Sequence, residues 1–368
     1  MKITHVFHHF APCTGGIETV IMELCKSLNA RHECSVVCLN KCPKGKKTLA
    51  EKETIEGVKV QRIPFINLGL YKFAPSVSRH LKGADIVHLH GINFFSDFLA
   101  VTKIFHGKKI VLSTHGGIFH TNKKSILKNA YFFGWCRIAL RAFEKIVCVS
   151  KNDFELFSKI VPREKLALIE NGIDFEKFSM AKNEKTKNSF VFLGRMSRNK
   201  RIDLLIDAFA GLKRKTKDFE LHIAGMDFDN ILEEMKRKAE ESGIAENVFF
   251  HGEVSEKELL ELLGSSEFFV SASEYEGFGL TALEAMAAGC IPVLNKIDSF
   301  KNFVSAGKNG FIADFEKSAE TAERIFEITE MEKKRKSEIA GNAAARAGDF
   351  SWEKKALEYE KVYSEVAK

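Results

Sequence analysis

Short, almost uninterrupted apolar runs recur along this chain, each separated from the next by a segment with helical periodicity. In the first half they fall at residues 3–7, 34–39, 58–63, 86–89, 110–112 and 146–149, with helical patterns such as 17–28 and 94–105 between them. A strand that is apolar on both faces must be covered on both faces. The pattern therefore predicts a parallel sheet flanked by helices. It pauses at residues 170–189, a polar and lysine-rich stretch, and restarts with SFVFLGR, ELHIAGM, NVFFHGE, EFFVSAS and IPVLN. At 368 residues the chain is too long for one ordinary core. The expectation is α/β, with two doubly wound, Rossmann-like domains over residues 1–170 and 171–350. A last helix, in residues 351–368, has no strand after it and is available to pack on either domain, including back on the N-terminal one.

The charge is unevenly spread. Residues 1–170 hold 26 Lys and Arg against 13 Asp and Glu, a balance of +13, whereas residues 171–368 hold 30 against 36, a balance of −6. That asymmetry points the first half toward something anionic: phosphate, nucleic acid or a membrane surface. No run approaches the roughly 18 apolar residues needed to span a bilayer, and the start MKITHVFHHF lacks a signal peptide's apolar region. A cytoplasmic protein is expected. The eight cysteines, at 13, 25, 34, 38, 42, 136, 148 and 290, contain no C-x-x-C pair and read as buried free thiols of a reducing compartment. Cys34, Cys38 and Cys42 are evenly spaced, but HECSVVCLN reads as a strand ending near Asn40, which leaves Cys42 in a loop. No metal site is expected there.

In open parallel sheets ligands bind beyond the carboxyl ends of the strands. After the first strand, Gly15 and Gly16 open a helix, where free amides suit an anion; tight turns need glycine too. His115 follows another strand in STHGGIFHT and offers a hydrogen bond or a proton there. His88 and His90 alternate within a strand and suit core or supporting roles. In FVFLGRMSRNK, Arg195 follows the strand and Lys200 comes five residues later. Two cations beside helix amides suit a diphosphate, or are a solvated basic turn. In SEYEGFGLTALEAMAAGC, Glu276 precedes a glycine turn and Glu284 lies early in the next helix. The amides of Phe278, Gly279 and Leu280 can converge on one anion. The plainer alternatives are a loop carboxylate for Glu276 and a helix-dipole role for Glu284.

Taken in chain order, GGIE (15–18), THGG (114–117), VSK (149–151), NGID (171–174), GRMSRNK (194–200) and the E-x7-E element from Glu276 to Glu284 give a specific resemblance. The chain resembles the retaining glycosyltransferases of family 4, whose GT-B fold sets two Rossmann-like domains facing across a cleft. The resemblance implies a hexosyltransferase that uses a nucleotide diphosphate-sugar and no metal cofactor. It casts Arg195 and Lys200 as the diphosphate ligands, assisted by Gly16 and by the amides after Gly277. Glu284 would take the ribose hydroxyls and Glu276 the sugar hydroxyls. His115 would hydrogen-bond the sugar, and the loop at Val254 would hold the base. It also implies front-face attack, in which a phosphate oxygen removes the acceptor proton and no enzymic nucleophile is used. The likeness of HGGIFHT to mannosyltransferases that extend lipid-linked saccharides makes GDP-mannose the first expectation, ahead of UDP-sugars.

Residues 121–145 combine Lys123, Lys124, Lys128, Arg137 and Arg141 with Tyr131, Phe132, Phe133 and Trp135. Such a basic, aromatic segment suits docking at the inner face of an anionic membrane, near a lipid-diphosphate-linked acceptor; an ordinary packed helix with a solvated basic face is the alternative. Asp227-Phe228-Asp229 has the D-x-D form of metal-dependent transferases, but follows the ELHIAGM strand, where no metal is expected. The competing readings are an inactive basic protein that binds membrane or nucleic acid, a GT-B sugar-nucleotide epimerase and a phosphorylase. The cofactor-lysine pattern of a phosphorylase is not apparent, the E-x7-E element argues against the epimerase, and the presence of Arg195, Lys200, Glu276 and Glu284 argues against an inactive protein.

Overall fold

The structure, a computed structural model, describes residues 1–13, 15–43, 47–69, 71–115, 125–181 and 183–368. The chain divides into two compact units, Met1–Gly172 with Trp352–Lys368, and Ile173–Ser351.

The first unit holds β1 (Lys2–Val6), β2 (Glu33–Leu39), β3 (Lys52–Ile55), β4 (Val58–Ile63), β5 (Ile66–Leu68), β6 (Tyr71–Phe73), β7 (Ile86–His90), β8 (Lys109–Ser113), β9 (Lys145–Cys148) and β10 (Leu166–Leu168). Eight of these form one sheet in the order β10-β9-β8-β7-β1-β2-β4-β3. Its ladders are parallel except at the edge, where β3 runs against β4. Each strand the sequence led one to expect is present within a residue or so at either end. The short strands β3, β5 and β6 went unseen because they are only three or four residues long and carry no continuous apolar run. Helix 94–105 is in fact two, Phe94–Val101 and Lys103–His106, broken at Thr102.

Helix Trp352–Ala367 belongs to this first unit. Its Trp352, Ala356, Tyr359 and Tyr363 share a core with Ile3 and Ile86 of the sheet and Ile21 and Leu24 of helix Gly16–Asn29. A helix with no strand after it thus finds an apolar face to cover.

The second unit holds β11 (Thr186–Leu193), β12 (Glu220–Ala224), β13 (Val248–Gly252), β14 (Ser266–Ser271), β15 (Ile291–Asn295) and β16 (Phe311–Ala313), parallel in the order β13-β12-β11-β14-β15-β16. The stretch expected as a linker, 170–189, contains helix Phe175–Ser179, capped by the Asp174 carboxylate, and the first residues of β11. Both sheets reverse their strand order, at β1/β7 in the first unit and at β11/β14 in the second. Such a reversal leaves a crevice at the carboxyl ends, because the connecting loops depart in opposite directions.

The strand ends beside that crevice in the second unit are packed backbone to backbone. The Gly194 amide donates to Ala224 and the Gly225 amide to Gly252, at 3.0 and 2.7 Å. Gly225 has φ +144°, and a Cβ there would stand 1.9 Å from the Gly194 carbonyl oxygen. Gly225→Ala therefore both strains the backbone and forces the Arg195 loop aside. A loss of roughly 3 kcal/mol or more is expected, read as a lowered unfolding midpoint of the second unit. An unchanged midpoint would refute the close approach.

Candidate active site

Arg195 and Lys200 leave the carboxyl end of β11, and Glu276 leaves that of β14, so the strand reversal itself puts them at one crevice. Lys200 Nζ lies 2.6 Å from Glu276 Oε1, with both side chains mostly withdrawn from solvent. The two loops are also joined through the backbone, where the Glu274 amide donates to the Asn199 carbonyl at 3.0 Å. Ser299 holds the other end of the turn by donating to the Glu276 carbonyl at 2.6 Å. Arg195 remains exposed and stacks its guanidinium on the Phe228 ring, 4.8 Å from the centroid. That contact orients the cation without neutralising it.

The glycine turn ends at Gly279, which takes φ +94° as the cap of helix Leu280–Ala287; a Cβ there would lie 2.8 Å from the Phe300 ring. No acidic side chain occupies the helix's first turn. Phe278 is buried and Leu280 half-buried, while Gly277 is exposed. Glu284 lies in the second turn. Burial pushes its carboxyl up to about 7, with Lys177 pulling it down and Asp174 pushing it up. Val254 packs on the same apolar cluster as Phe278 and Ala282, and lines a depression with Asn183, His251, Glu253 and Glu258.

In the first unit, Gly16 begins its helix, exposed and with open space where a Cβ would stand. His115 sits just past β8 at φ +47°, a strained setting for a side chain with a Cβ. Burial lowers its pKa to about 4, so the ring is neutral. The preceding Thr114 donates its hydroxyl to Asp153 and accepts the Val149 amide at 3.4 Å, which clamps the backbone leading into His115. His115 Nε2 lies 2.9 Å from His90 Nδ1, and His90 Nε2 lies 3.0 Å from His5 Nδ1. The sequence reading gave His90 a supporting role but had no signal for His5. That signal lies in the register, which sets His5 opposite His88 across β1 and β7. The two glycines after His115, the rest of HGGIFHT and residues 121–124 lie outside the described residues.

Among the described residues, the groups able to hold a metal are His5 with Cys25 and Cys34, and His5 with His88 and His90; all are buried. Cys42 is in neither group. It is joined to Cys13 in a disulfide, which corrects the reading of the cysteines as free thiols at this pair. The cause is topological. The loops after β1 and β2 are neighbours, and they bring the two Cα atoms to 5.5 Å despite a separation of 29 residues. The other six cysteines are free and buried. The D-x-D carboxylates are occupied by backbone amides: Asp227 accepts from Ile231 and Leu232 at 2.8 and 3.2 Å, and Asp229 from Arg198 at 2.9 Å.

The basic aromatic segment continues from Ser125 as short helical turns through Ala142. Phe132, Cys136 and Leu140 are buried, while Leu127, Phe133 and Ile138 are exposed beside Lys128, Arg137 and Arg141. Asp97, which the sequence did not single out, accepts from Tyr131 at 2.8 Å, from Trp135 Nε1 at 2.8 Å and from Tyr71. It thereby ties this segment to the β5–β6 hairpin, whose Ile66 and Leu68 are also exposed. No described helix is long and apolar enough to cross a membrane.

Two Rossmann-like units, each with a strand-order reversal, make up a GT-B fold. Residues 14–177 match Glycosyltransferase Family 4, and residues 174–345 match Glycosyl transferases group 1. The chain is 36% identical over 331 residues, 88% of its length and 86% of the relative's, to GDP-mannose:cellobiosyl-diphosphopolyprenol alpha-mannosyltransferase of Xanthomonas oryzae pv. oryzae. It is 31% identical over 368 residues, 100% of its length and 93% of the relative's, to the enzyme of the same description from Komagataeibacter xylinus. Its fold is similar to that of a glycosyltransferase from Rickettsia africae, with TM-score 0.79 and 19% identity over 100% of this chain and 98% of the other. It is also similar to Anabaena Alr3699/HepE in complex with UDP-glucose, with TM-score 0.72 and 19% identity over 99% and 100%. The chain belongs to glycosyltransferase family 4.

The raised Glu284 carboxyl has a consequence for stability. Its folded pKa of about 7 exceeds the ordinary 4.5, so the folded state binds the proton more tightly. Between those values stability falls as pH rises, and above about 7 the whole cost is present. Glu284→Gln is expected to raise the melting temperature at pH 8, by on the order of 1–3 kcal/mol in stability, and to change it little near pH 4.5. A gain as large at low pH as at pH 8 would count against a desolvated carboxylate.

Proposed function

We propose that this chain transfers mannose from GDP-mannose to a lipid-diphosphate-linked saccharide, with retention and without a metal ion. The carrying observation is the Lys200–Glu276 ion pair at the strand-reversal edge, beside the glycine turn that opens the Glu284 helix. Cations at that edge suit the diphosphate of a donor, and carboxylates suit its hydroxyls. The mannosyltransferase relatives support the donor and acceptor classes.

In this reading Arg195 and Lys200 neutralise the diphosphate, aided by the amides of Phe278, Gly279 and Leu280, and so take the part a divalent cation would otherwise play. Lys200 exchanges part of its pairing with Glu276 for phosphate, which frees Glu276 for the sugar hydroxyls. Glu284 accepts from the ribose, and the Val254 loop contacts the base. Gly16 and His115 keep the roles that the family resemblance implies. The anomeric carbon–oxygen bond to phosphate breaks as the acceptor hydroxyl attacks on the same face. The acceptor's proton passes to the departing phosphate oxygen. Catalysis then rests on positioning and on charge stabilisation of the leaving group. The exposed apolar and basic side chains joined through Asp97 suit docking at the inner face of an anionic membrane, where a lipid-linked acceptor resides.

A donor that binds the native state must raise its apparent stability. GDP-mannose is expected to raise the melting temperature more than UDP-glucose, UDP-GlcNAc, UDP-galactose or ADP-glucose, and to do so equally in EDTA. Lys200→Ala and Glu276→Ala should each cut mannosyl transfer by on the order of 10²-fold or more. A shift abolished by EDTA, or a larger one with a UDP-sugar, would overturn the corresponding part of the reading.

A further inference from the structure

Four cations follow β11 in quick succession, and their partners separate them. Arg195 lies on the Phe228 ring, and the exposed Arg198 reaches Glu234 at 3.3 Å. Lys200 meets Glu276. Arg201, for which the candidate site has no role, is half-buried and faces three carboxylates. Its Nε and Nη2 donate to the two Asp203 oxygens at 3.1 and 3.0 Å. Its Nη1 lies 3.7 Å from Glu274 Oε2 and 4.0 Å from Glu316 Oε1. A guanidinium matched in this way is already compensated and does not suit a phosphate.

The backbone at Arg201 is unusual as well. It takes φ +49° and ψ +48°, between the turn Arg198–Lys200 and helix Ile202–Lys213. A residue with a side chain is strained there, and glycine is not. The bidentate pair with Asp203 fixes the plane of the guanidinium and leaves Nη1 to face Glu274. Three consecutive residues then touch the loop after β14. The Asn199 carbonyl accepts the Glu274 amide at 3.0 Å, Lys200 pairs with Glu276 at 2.6 Å, and Arg201 pairs with the Glu274 carboxylate. Glu274 is thus held at both its amide and its carboxylate, two residues before Glu276.

We propose that Arg201 is a positioning residue that keeps Glu276 in register with Lys200 when the donor binds. The proposal rests on the reading of Lys200 and Glu276 as donor ligands. On that reading Lys200 gives up part of its contact with Glu276 to the diphosphate. The direct tie between the two loops then loosens at the moment when the sugar has to be held. The ties through Asn199 and Arg201 involve only Glu274, so they persist. A partly exposed ion pair adds little to stability. Its effect lies in geometry, because a small misplacement of a group that holds the substrate is costly to the reaction.

The test is mannosyl transfer from saturating GDP-mannose, with GDP affinity measured in parallel, in the full-length protein. Glycine accepts the Arg201 backbone, so Arg201→Gly removes the guanidinium and is expected to fold with a melting temperature near that of wild type. It should lower kcat roughly 10-fold while leaving GDP affinity within about twofold of wild type, because GDP carries no sugar for Glu276 to hold. Glu274→Gln, a change at an exposed side chain, should give the same fall. The double variant should fall no further, because both changes remove one tie. Arg198→Ala should leave kcat unchanged, since its guanidinium pairs with Glu234 instead. Unchanged kcat in Arg201→Gly or in Glu274→Gln overturns the proposal, as does an additive loss in the double variant. An equal loss in Arg198→Ala overturns it too, because any cation of the turn would then serve. So does a GDP affinity that falls in step with kcat, which would make Arg201 a phosphate ligand. Full transfer activity in Lys200→Ala and Glu276→Ala instead overturns the reading of the site on which the proposal rests, and these two variants tell the failures apart.

Discussion

Parallel strand pairing is the constraint on which the rest of this structure depends. A parallel ladder requires every strand to enter from the same side, so each crossover returns the chain to the same edge. All carboxyl ends then gather on one rim, and where the strand order reverses two successive loops part and leave a crevice. In the second unit that reversal falls between β11 and β14. Arg195 and Lys200 follow one of these strands and Glu276 follows the other, so residues some 76 positions apart form an ion pair. Their chemistry is a consequence of where the backbone has to turn.

Several residues of the rim adopt left-handed or otherwise unusual backbone conformations. Gly194, Gly225 and Gly279 all take positive φ there, and Gly225 admits no Cβ because the next strand end lies against it. His115 takes positive φ despite having a Cβ. Thr114, tied to Asp153 and to the Val149 amide, holds the chain just before it. Strain of this kind costs of order 1–3 kcal/mol and survives only where neighbours over-determine it. The four apolar cores that lie against the sheets supply that determination.

How much of this could be read from the sequence follows from how local each signal is. Apolar runs and glycine turns are local, and they gave the main strands, the two sheets, the strand-end positions of Arg195, Lys200 and Glu276, and the place of Glu284 early in a helix. Strands β5 and β6 are only three residues each, too short for the alternation of Ile66 with Leu68 and of Tyr71 with Phe73 to stand out. Asp97 reads as one more polar residue in an apolar helix; that Tyr71, Tyr131 and Trp135 all donate to it depends on three elements meeting. The Cys13–Cys42 disulfide needs the adjacency of β1 and β2, which periodicity does not reveal. The family resemblance supplied roles for the site residues, but their partners came from register.

Desolvation moves the pKa values of two groups of the candidate site in opposite directions, and both toward neutrality. Burial pushes the Glu284 carboxyl toward its neutral form and holds the His115 ring neutral as well. In water these groups would be mostly charged and mostly neutral respectively at pH 7, and both would be hydrogen-bonded to solvent. Withdrawn into the protein, each has less water around it, and a hydrogen bond formed there is electrostatically stronger. The same withdrawal makes the buried ends of their networks decisive, because a polar atom with no solvent must find a partner within the fold or go without. His5 Nε2 is such an atom.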